Sequence, residues 1–471
     1  MRIRLLRRWI IACVLALPLA ARADGPTHGE AIVIDSDLGL DDLATLALVL
    51  QTPDVEIASV VATEGVCAAP RAADHLSRLL HRFNRPDVAL WQGRSARQPA
   101  PPFRAFAEGA LSRVLGRTPR IGPPRGFSAE LYRVKGHHST VVVLGPMTSL
   151  AAALRQQPTL KAAIARVVVS GSPEVKDNWN ARQDVAAWNA VLGSGLPLTF
   201  VVADGKATWP AALPRPPLTS IAAGLLAELL REGKVREHFL QLSLSDELAW
   251  LQLLDPALFT RGRLARLTAP AKVEPLLRRL LRDGRQARHP VVFSPRPLPD
   301  EALQPDVRRR RAPIVAHNGE VEWRAQLMLN ELHQHLGAYS LVGVKMGLRA
   351  AELLNAPAHA MEVYSESAAG PPVSCLNDGV IVGSGSTPGR GLFHPGQGGR
   401  PGSTRVRFRY NGRQVVLALR RGYQQRIAAA IARLLRRHGL EDPRYWAGVR
   451  VEGLEIWDRW HRLQLFDVTE K

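Results

Sequence analysis

The chain has 471 residues, 46% of them hydrophobic, which is enough apolar content for two to three packed domains at ~100–200 residues each and excludes global disorder. Its formal net charge is +20, but the arginines that dominate it are dispersed and lack an aromatic-basic motif, so no specific nucleic-acid partner is expected. Three cysteines exclude a disulfide-framework protein.

Arg2, Arg4, Arg7 and Arg8 form a basic head, and residues 9–19 are apolar but too few to span a bilayer. Ala21-Arg22-Ala23 then offers small residues where a signal peptidase reads. Residues 1–23 are therefore expected to be a signal peptide, sending the mature chain to the periplasm or outside the cell with no membrane span. Arg7-Arg8 is compatible with the twin-arginine route, and Cys13 lacks a lipobox. The mature chain keeps Cys67 and Cys375, expected as two separate thiols.

Residues 30–290 read as a first domain. Val- and Ile-rich runs at 31–34, 57–61, 141–144, 167–169 and 198–202 alternate with helical spacing at 42–51, 71–82, 149–155 and 185–192. Continuous apolar strands alternating with helices predict an α/β fold, a mostly parallel open sheet with helices on both faces. Residues 218–281 look helical and basic. The Pro- and Arg-rich stretch 291–318 is expected to be a linker. A smaller C-terminal α+β domain over 319–440 follows, with a helix at 323–354, a Gly-rich stretch at 377–402, strands at 405–410 and 414–419, and a helix at 424–437. Residues 441–471 are set apart as a Trp-rich tail.

The first strand ends in IDSDLGLDD, which places Asp35, Asp37, Asp41 and Asp42 within eight residues. Carboxylates this close stay ionised together only if something positive compensates them. A hard cation such as Ca²⁺ accepts oxygens from several acids, and Gly39 lets the backbone turn tightly around it. Helix capping accounts for one or two of the acids but not for four.

These residues resemble the DTDPGIDD signature of the inosine-uridine preferring nucleoside hydrolases. The likeness continues in order: LGPMTSLA at 144–151 is similar to TGPLTNLA, VSGS at 169–172 to a strand end MGG, NWNARQD at 178–184 to EFNxxxD, and SDELA at 245–249 to HDPLA. The resemblance implies a nucleoside hydrolase-like fold and cleavage of an N-ribosyl bond in a small-molecule nucleoside or ribosyl ligand. It implies Ca²⁺ bound by the carboxylates of Asp37, Asp42 and Asp246 and by the backbone carbonyl of Leu144. Asp35 would support the site, Asp41 would hydrogen-bond ribose hydroxyls, and Asn180 would hold the sugar with Asn178 beside it. Asp37 would also take a proton from the attacking water. A homo-oligomer would suit this class.

Three positions depart from the family pattern. Val66 stands for an Asn, Asn178 for a Glu, and Ser245 for the His that would protonate the departing base. Serine cannot do that near neutral pH. His75, Lys176 and Asp177 have no spacing argument to replace it, and His75, on an amphipathic helix, is expected on the surface.

Residues 328–393 resemble a second family, a small domain associated with formylmethanofuran dehydrogenase. LHQHL at 332–336 is similar to FHGHL, CLND at 375–378 to a C-x-x-D motif, and GSGSTPGRG at 383–391 to TGCTxGKG. Gly337 and Ser386 stand where that family has cysteines. His333, His335, Cys375 and Asp378 could still gather a Zn²⁺, or the histidines and Asp378 could fix the Gly-rich loop by hydrogen bonding. Two functions thus remain: an exported Ca²⁺-dependent hydrolase of N-glycosyl bonds, and a non-catalytic or altered-specificity protein that keeps a Ca²⁺-ribose pocket.

Overall fold

The computed structural model describes residues 31–52, 55–95, 98–134, 137–203, 209, 220–283, 299–367, 370–399 and 401–470. The expected signal peptide and part of the expected linker lie outside them.

Seven strands form the first sheet: β1 (Ala31–Ser36), β2 (Ile57–Ala62), β3 (Ala89–Gln92), β4 (Ser139–Val143), β5 (Ile164–Ser170), β6 (Leu198–Val202) and β7 (Leu264–Arg266). Their spatial order is β3-β2-β1-β4-β5-β6-β7, and every pair is parallel. Strands β1, β4 and β5 are almost wholly buried because both faces are covered. On β1, Ile32 and Ile34 face one core while Val33 faces the other. β3 and β7 carry no Val/Ile run and occupy the two edges, where full burial is not required.

β1 pairs with β2 on one side and β4 on the other. Successive connections therefore diverge at β1, which makes a crevice at its carboxyl end the expected ligand position. Asp35 and Asp37 sit at that end.

The second sheet contains β8 (Glu362–Ser365), β9 (Phe393–His394), β10 (Val406–Tyr410), β11 (Arg413–Leu419) and β12 (Phe466–Glu470), in the order β12-β11-β10-β8-β9. It has its own hydrophobic core. Helices Ala338–Leu354 and Leu376–Ser384 cross at backbone distance. A Cβ on Gly379 would lie 1.9 Å from the Ser340 carbonyl oxygen, and one on Gly343 would lie 2.2 Å from that of Leu376.

Three expectations change here. The helix expected at 323–354 is two helices, Glu320–His333 and Ala338–Leu354, because Gln334 adopts a left-handed conformation (φ 59°) that ends the first. The expected tail is structural: helix Pro443–Arg459 buries Trp457 in the second core, and β12 pairs antiparallel with β11. Within the expected linker, residues 305–308 and 311–318 are helical.

The two bodies are joined by asparagines. Asn355 Nδ2 donates to the carbonyls of Leu50 (2.9 Å) and Phe83 (2.6 Å), which end two helices of the first body. In return Asn84 Nδ2 donates to Leu354 O at 2.5 Å. Both asparagines have positive φ, a conformation Asn tolerates better than most residues.

Candidate functional site

The site grows from the end of β1. Ser36 closes the strand, Leu38 turns the chain with a left-handed φ of 55°, and Gly39 caps helix Leu40–Leu50. A left-handed leucine is costly, and such strain collects where a site needs a fixed backbone. The turn is held by Leu38 N donating to Ser36 Oγ (3.1 Å) and by Cys67 N donating to Asp37 O (3.1 Å).

The turn brings the acids together. Asp41, Asp42 and Asp246 each offer a carboxylate oxygen within 4.8 Å of the others. Asp37 hydrogen-bonds Asp42 side chain to side chain. Asp246 arrives from the first turn of helix Ser245–Leu254, about two hundred residues on in sequence but adjacent in space. Asp35, Asp37, Asp42 and Asp246 are buried, whereas Asp41 is partly exposed and marks the open side.

Each acid is pushed toward its protonated form. Burial is the first cause for Asp37, with repulsion from Asp42 second. Burial raises Asp41 to about 7, helped by the Asp42 charge. Asp42 rises by burial, and Asp246 rises well above its ordinary value by burial and then by Asp41 and Asp42. Burial leads each of these shifts, and no lysine or arginine is among their leading causes. Four clustered carboxylates of this kind are the donor set of a hard divalent cation, so the residues fit Ca²⁺.

Backbone and polar neighbours shape the cluster. Val66, where the first resemblance has an Asn, gives its backbone N–H to Asp37 Oδ2 at 2.9 Å. The 64–66 loop can approach because Gly65 has no side chain: a Cβ there would lie 2.0 Å from Asp37 Oδ2. Arg104 braces the loop from outside, donating to Gly65 O (3.0 Å) and Val66 O (3.1 Å) and pairing with Glu64 (3.0 Å). Asp35 receives hydrogen bonds from the hydroxyls of Thr63 and Tyr132, and burial still raises it to about 7. Ser36 Oγ donates to Asp42 Oδ1 at 2.5 Å.

The remaining candidates fall as follows. Asn180 Nδ2 donates to the Leu144 carbonyl at 2.6 Å, so the expected sugar-holding group and the expected carbonyl ligand meet each other. That oxygen keeps one lone pair for another partner. Asn178 is fully engaged locally. Its Nδ2 serves Ser170 O (3.2 Å) and Ser172 O (2.9 Å), and its Oδ1 accepts the backbone N–H groups of Asn180 (3.0 Å) and Ala181 (3.3 Å). It caps helix Trp179–Gln183 and has nothing left to offer a substrate. Ser245 Oγ bonds Ser243 Oγ at 2.8 Å. Lys176 and Asp177 are exposed outside the cluster. His75 is not on the surface: it is 2% exposed, because the apolar face of its helix packs inward and takes it along.

Sequence reasoning missed Thr63, Tyr132, Arg104 and Glu247. Tyr132 and Arg104 act from distant segments and leave no local signal. Glu247 adjoins Asp246, is buried, and is raised to about 8 by burial and by Asp41; its Oε1 accepts Trp209 Nε1 at 3.0 Å.

In the second body, His333 Nδ1 bonds Asp378 Oδ2 at 3.0 Å and His335 Nδ1 bonds the His333 carbonyl at 3.0 Å. Among the described residues the Asp41, Asp42 and Asp246 group alone brings three such ligand atoms together. His333, His335, Cys375 and Asp378 are not brought together in this way, and one ring nitrogen of each histidine is engaged in a hydrogen bond. Cys67 and Cys375 are free thiols.

Residues 32–292 match the family profile of inosine-uridine preferring nucleoside hydrolases. Residues 332–445 match that of FmdE, the molybdenum formylmethanofuran dehydrogenase operon protein. The pyrimidine-specific ribonucleoside hydrolase RihA of Salmonella agona (strain SL483) is 29% identical over 251 residues, 49% of this chain and 81% of that protein. Its counterpart in Salmonella enteritidis PT4 (strain P125109) is 28% identical over 251 residues, with the same coverage. Among solved structures, the purine-preferring ribonucleoside hydrolase from Gardnerella vaginalis has a TM-score of 0.46 at 20% identity, covering 53% of this chain and 98% of that one.

Proposed function

The chain belongs to the inosine-uridine preferring nucleoside hydrolase family through residues 32–292, and from that premise we propose that it hydrolyses the N-glycosidic bond of a ribonucleoside at the carboxylate cluster, with Ca²⁺ as its metal. The observation that carries this reading is the set of four clustered acids, with no lysine or arginine among the leading causes of their shifts.

Asp37, Asp42 and Asp246 would hold the ion, with the Leu144 carbonyl as a further oxygen. Bound Ca²⁺ would compensate these charges and lower the pKa of a coordinated water. Asp37 is the proton acceptor for the attacking water, its carboxylate oriented by Val66 N–H on Oδ2 at 2.9 Å and by its contact with Asp42. Asp41, at the open side, accepts hydrogen bonds from ribose hydroxyls. Asn180 lies within reach of the same pocket through Leu144 and orients the sugar. Asp35 touches no substrate; its bonds to Thr63 and Tyr132 hold the end of β1 in place.

The leaving-group side is weaker. Ser245 supplies no acid, so nucleosides whose bases depart easily should be favoured. The commitment of Asn178 to backbone groups supports a second reading, a pocket that binds a riboside without cleaving it. The basic head and apolar stretch at 1–19 support export to the periplasm or beyond.

Chromatography of a nucleoside panel incubated with the mature protein and Ca²⁺ decides between these readings. Hydrolysis predicts free ribose and free base from at least one member, and loss of both products with Asp37→Asn. Binding of Ca²⁺ without release of ribose from any member would sink the hydrolase reading.

A further inference from the structure

The apolar side chain of Val66 offers the carboxylate cluster nothing, but its backbone N–H donates to Asp37 Oδ2 at 2.9 Å. The next residue does the same for the main chain: Cys67 N–H donates to the Asp37 carbonyl at 3.1 Å. Two successive amides of one short loop thus grip a single acid. A backbone donor is only as well placed as the loop that carries it. Here the contact is tight, since the space between Gly65 and Asp37 Oδ2 would not admit even a methyl group. A shift of the loop is therefore passed on to the carboxylate.

The loop is held from helix Arg104–Leu115. Arg104 spreads its guanidinium over three acceptors: Nη2 reaches Gly65 O and Glu64 Oε1, each at 3.0 Å, and Nε reaches Val66 O at 3.1 Å. One turn further along, Glu108 Oε1 accepts the Ala68 N–H at 3.0 Å. Residues at i and i+4 share a helix face, so one face clamps the loop at both ends. The Arg104 and Glu64 side chains are 18% and 15% exposed, and a pair so placed is screened less than one on the surface. A planar guanidinium serves several acceptors in fixed geometry, whereas a lysine offers a point charge.

We propose that Arg104 is a positioning residue for Asp37. Its guanidinium, with Glu108 beside it, fixes the 64–68 loop so that the Val66 and Cys67 amides hold Asp37 in the orientation that metal binding and proton acceptance need. Arg104 acts through the loop. The inference rests on the role given to Asp37 under the proposed function.

The test is calorimetric titration of the chelator-stripped mature chain with Ca²⁺, with nucleoside turnover measured beside it at saturating Ca²⁺. Arg104→Ala should weaken Ca²⁺ binding at least about tenfold, the scale of losses around metal ligands. At saturating Ca²⁺ its kcat should fall while KM stays within about twofold, because Asp41 and Asn180 are untouched. Guanidinium ion at about 10 mM, far below denaturing concentrations, should restore much of the Ca²⁺ affinity. Arg104→Lys keeps a charge for Glu64, and so guards the fold, but loses the fork; it should show part of the same loss. Combined with Gly65→Ala, the loss from Arg104→Ala should be less than additive, because both act through one loop. Arg113→Ala, which breaks an exposed ion pair with Glu232 on the same helix, should bind Ca²⁺ like the unaltered chain. Unchanged Ca²⁺ affinity in folded Arg104→Ala and Arg104→Lys, or strictly additive losses with Gly65→Ala, would overturn the inference and leave the role of Asp37 standing. An unaltered chain that binds no Ca²⁺ would instead remove the role of Asp37, and the inference with it.

Discussion

Asp37 shows how much of this site depends on neighbours that carry no charge. Its carboxylate is approached by Gly65 and its backbone N by Gly145, at positions where a Cβ would lie 2.0 and 2.8 Å away. Gly65→Ala should therefore tilt Asp37 without removing it and lower Ca²⁺ affinity by about 10–100-fold, as losses around metal ligands do; calorimetric titration measures this. Ser245→His addresses the opposite side. If that position faces the departing base, the substitution should raise kcat about 100-fold on nucleosides with poor leaving groups, the usual scale of a general acid, and leave Ca²⁺ affinity unchanged. The acid cluster is legible in the sequence because Asp35 to Asp42 are neighbours in the chain. The partners of Asp35 are not, since Thr63 and Tyr132 reach it from other segments. Asn178 reads as a sugar contact, yet its amide is already bonded to four backbone groups, because motif position says nothing about which hydrogen bonds a side chain has already made.

At the scale of elements, helix Leu40–Leu50 is buried along nearly its whole length and begins in the cluster. Protonation of the cluster therefore acts on a core helix. Asp35 and Asp41 titrate near 7 instead of 3.8, and Glu247 near 8 instead of 4.5. Between those values the folded chain retains protons that the unfolded chain has released. The stability they contribute is full at acidic pH and is lost as pH rises through about 7 to 8. In chelator, the unfolding temperature should fall from about pH 5 to about pH 8, and saturating Ca²⁺ should remove most of that fall; scanning calorimetry at both pH values checks it. The central parallel strands are legible from their Val/Ile runs. The edge strands β3, β7 and β12 are not, because an edge strand needs no continuous apolar run. The Trp-rich end of the chain reads as a tail for the same reason: of β12 only Phe466 is buried.

For the whole molecule, the joint between the two bodies is a reciprocal pair of helix caps. Asn355 closes the helix that starts in the carboxylate cluster, and Asn84 closes helix Ala338–Leu354 of the second body. Asn355→Ala leaves the Leu50 and Phe83 carbonyls unsatisfied at a cost of about 1–3 kcal/mol. It should split a single unfolding transition into two, seen by calorimetry. No periodicity or motif announces such a joint, because each asparagine reads locally as a helix terminator. The proposed function rests on the acids at the end of β1 being gathered for one divalent cation. Calorimetric titration of chelator-stripped protein with Ca²⁺ tests that most directly. One ion bound per chain, with binding abolished in Asp42→Asn, is the predicted result; no binding, or binding unchanged in that variant, would contradict it.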